Sequence, residues 1–540
     1  MPPDRRDGRL ALLGGRIRTL DARDSVVEAI AIDGGRVVSV GSDAEVMASL
    51  PRDAPVVALE GRTVLPGLID AHTHLELSAL AEHWWLDVRG QTPAATLARV
   101  TAAVAARAPG EWLVGQGTFG QELPSRAELD EVAPANPVVL RQSMHLLVAN
   151  SAAMRASGID RHYAAPRGTR VVRDHRGDPS GVVREGFDLF PVPWPADDEH
   201  RVQLRDQTRA LFVRRGVTTI HELPASEQGI RAWQRLLADG ELPCRITLNP
   251  ILSPGHQPTV ASLDDFLALG VDLERRSAEA WLTLGALKLF LDGGDLDTGF
   301  SRAALAADPR DWGILNFTYE ELVAILMGCR HHAVQVWMHA IGDAAQAMAL
   351  DAVEDVNLAC GESDHRTRVE HIGNHLCDWS VLPRMRAAGI VPVPNVVFLH
   401  QEADDLDAQL GADARAYAYR SMIEAGLCTP GNSDTAGAQP MSANPWFAIS
   451  AMVRRRTAGG VALSPDEAVD VRTALETYTG HGAYAAYEED AKGTLEPGKL
   501  GDLAVYAEDP LALDPADLVD LAADMTVVGG VVVHDSTAQR

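Results

Sequence analysis

The sequence predicts an α/β protein: a (β/α)8 TIM barrel, a small β-sandwich built from both chain ends, and an insertion after the first barrel strand. Three observations predict it. Eight short apolar runs alternate with helical stretches between about Val64 and His481. Glycine-punctuated, β-rich segments stand at both ends of the chain. The gap between the first two apolar runs, roughly 77–210, is far too long for a loop.

At the N-terminal end, over residues 1–63, "LALLGGRIRTLD" and "VVEAIAIDGGRVVSVG" read as short strands with Gly-Gly turns. "DLAVYAEDP" and "MTVVGGVVVHD" repeat that pattern over residues 485–540. Neither end alone would bury enough surface, so the two are expected to combine. The barrel, residues 64–484, takes its strands from 64–72, 216–222, 244–251, 284–291, 334–340, 367–372, 390–395 and 427–434. Between them lie helical signals such as "TYEELVAILMGCRHH", with Thr318 as N-cap and Glu320 and Glu321 in the first turn. The insertion at 77–210 carries its own strand-like "PVVLRQSMH" and is placed over the barrel mouth.

The bulk properties exclude several classes of function. A net charge of −27 argues against nucleic acid or an anionic membrane surface as a partner. The N-terminus lacks an apolar signal region, and no run approaches the roughly 20 apolar residues of a membrane span. Five scattered cysteines, Cys244, Cys329, Cys360, Cys377 and Cys428, fit a reduced, cytoplasmic protein. A homo-oligomer is left open.

Chemistry enters with "VLPGLIDAHTHLE" (64–76), an apolar run that ends on His72 and His74. Alternation along a strand points both imidazoles the same way, which suits a shared metal ion. Barrel sites collect at the C-terminal ends of strands. Lys288 falls within the fourth run, His339 ends the fifth in "VWMHAIGD", His371 the sixth in "RVEHIGNH", and Asp434 the eighth in "CTPGNSD". Any one of these is as readily a satisfied polar group or a turn cap. Six of them at the strand ends of one barrel form a joint pattern. The chain has three lysines, Lys288, Lys492 and Lys499, against 45 arginines, so a lysine kept within a buried strand calls for amine chemistry. Lys499 reads as a turn cap, and His331, His332, His365 and His375 as surface or capping residues.

"GLIDAHTH", "ALKLFLDGG", "MHAIGDAA", "RVEHIGNH", "GNSD" and "GTLEPGKLGDLAVY" resemble the amidohydrolase superfamily over nearly the whole chain. The likeness is greatest to family 3, with its YtcJ-like and N-substituted formamide deformylase-like members. The resemblance implies His72, His74 and Asp434 on one metal and His339 and His371 on a second. It also implies a carbamylated Lys288 bridging two Zn²⁺ ions. Such a pair acidifies a bridging water, and Asp434 takes its proton as general base and passes it to the leaving nitrogen. His145 stands where a substrate-facing histidine is usual, but "SMHLLVANSAAM" departs from the family's Asp-Gly-His, and Pro394–Asn395 replace a usual Gln-Pro. Trp84, Trp85 and Phe119 either line an apolar pocket or form the insertion's own core.

The expected function is metal-dependent hydrolysis of a carbon–nitrogen bond in a small amide-like, N-acyl or N-formyl substrate. A mononuclear deaminase of the same superfamily usually has a glutamate three residues after the fifth-strand histidine. Here that residue is Gly342. The other alternative is a catalytically inactive regulatory relative.

Overall fold

The computed structural model describes residues 8–536, apart from 254, 271–272, 276, 295–298, 302–310, 377 and 412. Cys377 therefore lies outside the described residues; Cys244, Cys329, Cys360 and Cys428 are free thiols. Among the described residues, no helix is long and apolar enough to cross a membrane.

Seven parallel strands carry the site: β1 (Leu68–Thr73), β2 (Val217–Glu222), β3 (Arg245–Leu248), β4 (Leu287–Phe290), β5 (Val336–His339), β6 (Arg368–Glu370) and β7 (Val391–Val393). All are buried along their length, as strands covered by helices on a parallel sheet must be. The helix Tyr319–His331 starts where its sequence says it should. Thr318 and Glu321 cap each other's backbone N–H groups in a capping box.

Three barrel strands differ from the expectation. The predicted first strand, 64–72, divides at Gly67: Thr63–Pro66 pairs with Leu503–Tyr506 in the chain-end sheet, and only Leu68–Thr73 belongs to the barrel. The predicted fourth strand, 284–291, is broken. Leu282–Leu284 pairs with β3, whereas β4 pairs with β5. Asn249 occupies the break: its Oδ1 accepts from the Ala286 N–H at 2.8 Å, and its Nδ2 donates to the carbonyls of Glu222 and Thr247. Gly285 permits this, because a Cβ there would stand 2.4 Å from Asn249 Oδ1. A single bridge between Ile251 and Lys288 joins the two halves. The predicted eighth strand, 427–434, is extended but irregular. Pro430 has no N–H to give to a ladder. The segment instead follows β1 through separate bonds, from Ala71 N–H to the Gly431 carbonyl and from Asp434 N–H to the His72 carbonyl.

A six-stranded sheet joins the chain ends: Val531–Asp535, Met525–Val528, Leu503–Tyr506, Thr63–Pro66, Arg16–Arg18 and Val26–Val27, in that order. Facing it is a four-stranded sheet of Arg36–Gly41, Ala29–Asp33, Leu10–Leu13 and Val56–Ala58, and the two share an aliphatic core. The first Gly-Gly, Gly14–Gly15, does not make a hairpin, since Leu10–Leu13 and Arg16–Arg18 belong to different sheets. The other two, Gly34–Gly35 and Gly529–Gly530, do.

Arg245 at the start of β3 ties this region to the barrel through a two-pronged ion pair with Asp502, at 2.7 and 3.0 Å. Both side chains are buried. Burial alone would raise the Asp502 carboxyl, but the guanidinium more than offsets this and holds it below its ordinary value. Asp502→Ala is therefore expected to cost about 3–5 kcal/mol, the scale for an orphaned buried charge, read as a lower urea midpoint. Because the native carboxyl is lowered, this contribution is complete above the unfolded pKa of about 3.9. It is lost as pH falls below that value towards the native one. An unchanged midpoint at pH 7 would exclude the coupling.

Between β1 and β2 the chain builds a second six-stranded sheet from Arg170–Arg173, Pro179–Arg184, Leu146–Ala149, Val138–Arg141, Leu113–Gln116 and Leu86–Asp87. Trp85 belongs to its core, where the Arg141 guanidinium lies over the Trp85 and Phe187 rings. Trp84 is partly exposed, and Phe119 alone of the three reaches the cavity above the barrel.

Candidate metal centre

The period of β1 does what its sequence implies. His72 and His74 sit at its end with ring centroids 5.4 Å apart, both buried. Asp434 arrives from the irregular eighth segment, with Oδ1 at 3.3 Å from His72 Nε2 and 3.6 Å from His74 Nε2. One ligand atom from each of the three lies within 4.8 Å of the other two. His339 and His371 form a second pair, rings 4.5 Å apart, and the His371 ring is 5.7 Å from that of His72. Lys288 is fully buried on β4 nearby. Asp434 and His371 both adopt left-handed backbone conformations, φ 43° and 71°. Each is pinned by its own N–H, Asp434 to the His72 carbonyl and His371 to that of Val393, both at 2.8 Å. Strain held this way is characteristic of functional sites.

Three of the four imidazoles, those of His72, His339 and His371, are oriented by a partner behind them. His72 Nδ1 lies 2.5 Å from Glu370 Oε2, and Glu370 is clamped by Arg368 at 2.7 and 2.9 Å. His339 Nδ1 lies 2.9 Å from Asp292 Oδ1, and His371 Nδ1 lies 2.6 Å from Asn395 Oδ1. Asp292 also accepts the N–H groups of Phe300, Ile341 and Gly342. Buried carboxylates or amides behind histidines are the usual outer support of a metal site. Sequence reasoning passed over Glu370 and Asp292, and noted Asn395 only as a departure from the family's Gln-Pro. The signal was a carboxylate next to a candidate ligand or just past a candidate strand.

The electrostatics separate the histidines. Burial opposes charge on His72, but Asp434 and Glu370 prevail and its pKa is raised. Burial leaves His74 and His339 far below their ordinary value and takes His371 to about 3, so these three stay neutral, as ligands must be. Burial would raise Asp434, yet the imidazoles of His72, His371 and His74 hold it far below the carboxylate range. Burial brings Lys288 down to about 8, so a minor fraction of its amine is neutral near physiological pH, far more than for an exposed lysine.

Four buried polar atoms here make no hydrogen bond: His72 Nε2, His74 Nδ1, His339 Nε2 and Lys288 Nζ. Unmet, each would cost about 1–3 kcal/mol. Three of them, His72 Nε2, His339 Nε2 and Lys288 Nζ, stand with Asp434 and the Nε2 of His74 that faces it, and this set fits the donors of a divalent cation.

Above the centre lies a cavity of about 340 Å³, whose walls include Phe119, Met144, His145, Ile341, Phe398 and Tyr417. His375 also lines it, so this residue is not the surface or capping histidine expected. His365 is likewise internal, held between Thr367 Oγ1 and the Ala388 carbonyl, whereas His331 and His332 are exposed. Lys499 reaches Glu496 across a turn at 3.5 Å.

A TIM-barrel-type α/β fold with histidines and a carboxylate gathered at its strand ends is the frame of an amidohydrolase, the class to which the comparisons point. The chain belongs to the amidohydrolase family, whose model matches residues 55–534. Its relatives include the N-substituted formamide deformylase of Arthrobacter pascens, 29% identical over 98% of each chain. The amidohydrolase YtcJ of Bacillus subtilis strain 168 is 26% identical over 97% of this chain and 99% of its own. Among solved structures, a metal-dependent hydrolase from Pyrococcus horikoshii superposes with a TM-score of 0.72 at 22% identity, covering 94% of this chain and 99% of its own. That last likeness carries the fold.

Proposed function

We propose that this protein hydrolyses the carbon–nitrogen bond of a small N-acyl or N-formyl compound at a centre for two divalent cations, most simply Zn²⁺. His72, His74 and Asp434 would hold one, His339 and His371 the other, and a carbamylated Lys288 would supply an anionic ligand to them. The observation that carries this reading is the group of three buried, hydrogen-bond-free atoms, His72 Nε2, His339 Nε2 and Lys288 Nζ, at converging strand ends beside Asp434. A metal-free regulatory chain would have no use for such a set.

When bound, the cations supply Lewis-acid polarisation of a carbonyl and acidification of water. Asp434 has the most exposed side chain of its cluster, 11% against 1% for His72 and 2% for His74, and so faces the reacting atoms. It accepts a proton from the attacking water as the new carbon–oxygen bond forms. It then returns that proton to the nitrogen as the carbon–nitrogen bond breaks, giving an acid and an amine. His145 lines the cavity, where its imidazole would meet the substrate carbonyl. The mostly apolar wall of Phe119, Met144, Ile341 and Phe398 takes a hydrocarbon substituent. We take the sandwich as 1–63 with 485–540 and the barrel as 64–484, with the strand Thr63–Pro66 of that boundary lying in the sandwich sheet, and the cytoplasm as the site of action.

The test is a screen of N-formyl, N-acyl, cyclic amide and ester compounds with zinc-loaded protein, repeated after chelation. Turnover of an amide that chelation abolishes and Zn²⁺ restores is expected. Amide turnover that survives complete metal removal would overturn the reading, as would a metal-loaded protein active on esters alone.

A further inference from the structure

A third cluster, outside the proposed ligands, borders the cavity. Leu146–Ala149 and Pro179–Arg184 run antiparallel with Leu146 opposite Arg184. Extending that register by one residue sets His145 opposite Glu185. The Glu185 N–H indeed donates to the His145 carbonyl at 2.9 Å, and Glu185 Oε2 lies 2.8 Å from His145 Nδ1. Two barrel loops converge on the same carboxylate. His256, after β3, places Nε2 at 3.0 Å from Oε2, and the Gly294 N–H, after β4, donates to Oε1 at 2.9 Å. Gly294 is needed for this approach, since a Cβ there would stand 2.1 Å from His145 Nδ1. Glu185 is 1% exposed and has a left-handed backbone, φ 53°. Burial would raise its carboxyl, but the imidazoles of His145 and His256 draw it well below the ordinary range.

We propose that Glu185 is the positioning residue for His145: it joins the insertion to the loops after β3 and β4 and fixes the imidazole with Nδ1 on the carboxylate, so that Nε2 is presented to the substrate. This rests on the catalytic reading of the cavity. The hydrogen-bond lengths favour a proton on Nδ1 shared with a carboxylate over a third cation between the three side chains. The arrangement is that of a histidine whose tautomer is set by an acid behind it. It also accounts for a buried carboxylate that is not among the proposed metal ligands.

The experiment compares the full-length, zinc-loaded wild type with Glu185→Gln and Glu185→Asp. The probe is 4-nitroacetanilide or the best substrate of the screen, and the readouts are kcat, KM, metal content, melting temperature and ring ¹⁵N resonances of labelled histidine. Assignment of His145 uses His145→Gln. Glu185→Gln is expected to lower kcat by about 10–100-fold with KM within about twofold, the scale for a lost outer partner. Metal content should be unchanged, and the His145 resonances should move to a mixture of tautomers. Glu185→Asp should recover part of kcat and the wild-type tautomer. If Glu185→Gln does not fold, Glu185→Asp decides, and a proposal of this kind requires its kcat to lie below wild type with the metal retained. An unmoved His145 signature with wild-type kcat would overturn the proposal. So would loss of a third metal equivalent, which would make the cluster a cation site. A wild type that turns over no amide sinks the catalytic reading, and the tautomer measurement still decides whether Glu185 sets His145.

Discussion

An Asp434→Asn enzyme is expected to keep its fold and lose at least about 10²-fold in kcat, the scale of general acid–base assistance. Asparagine preserves the size of the side chain and one acceptor oxygen, so the backbone bond from Asp434 N–H to the His72 carbonyl survives. What disappears is the proton acceptor. The wild-type carboxyl is held far below the carboxylate range by three imidazoles, so at neutral pH it is ionised and has a free oxygen lone pair for the proton. An amide has no such capacity. The loss should fall on kcat and kcat/KM together, because the contact matters in the transition state. His371→Ala makes a useful contrast: it should deplete metal and be partly rescued by excess zinc. Wild-type kcat in an Asp434→Asn enzyme with full metal content would show that another group takes the proton, and His145 is then the nearest candidate.

Lys288→Arg is expected to abolish most activity and to release one or both metals, while Lys499→Arg changes little. The two lysines differ in surroundings more than in chemistry. Lys499 is partly exposed beside Glu496. Lys288 is fully buried, makes no hydrogen bond through Nζ, and has its pKa lowered by burial to about 8. Carbon dioxide adds to a neutral amine with loss of one proton, leaving an anionic carbamate that can serve two cations. Guanidinium stays protonated and cannot follow this course. In Lys288→Ala, added bicarbonate or a short carboxylate should restore a fraction of turnover by supplying the missing anion. Full activity and full metal content in Lys288→Arg would exclude the bridge.

Both predictions concern residues whose types and positions were readable from the chain. His72 and His74 announce themselves by a period of two at the end of an apolar run. Thr318 announces a helix start, and Lys288 stands out because the chain otherwise uses arginine. Less was readable where backbone geometry intervened. The fourth strand looks continuous in "LGALKLFL", yet Asn249 from another strand divides it at Gly285. "LCTPGNSD" looks like a strand, yet Pro430 and the left-handed Asp434 make it a series of single bonds. His375 looked peripheral and lines the cavity, because the segment after β6 turns back over the barrel mouth to pair with Arg415–Ala416.

The sequence by itself determined the element types, the face that β1 presents and the residue types able to hold cations, since these follow from local periodicity, capping and side-chain chemistry. Only the tertiary structure decided which carboxylate stands behind which imidazole: Glu370 behind His72 across 298 residues, Asp292 behind His339 across 47, Glu185 behind His145 across 40. It also decided the charge of each group. His72 and His74 are two positions apart on one strand, yet the first is raised and the second strongly lowered, because one has Glu370 at 2.5 Å and the other is desolvated without such a partner. A pKa depends on burial and on neighbours a few ångströms away in space, and long-range packing alone brings those neighbours together.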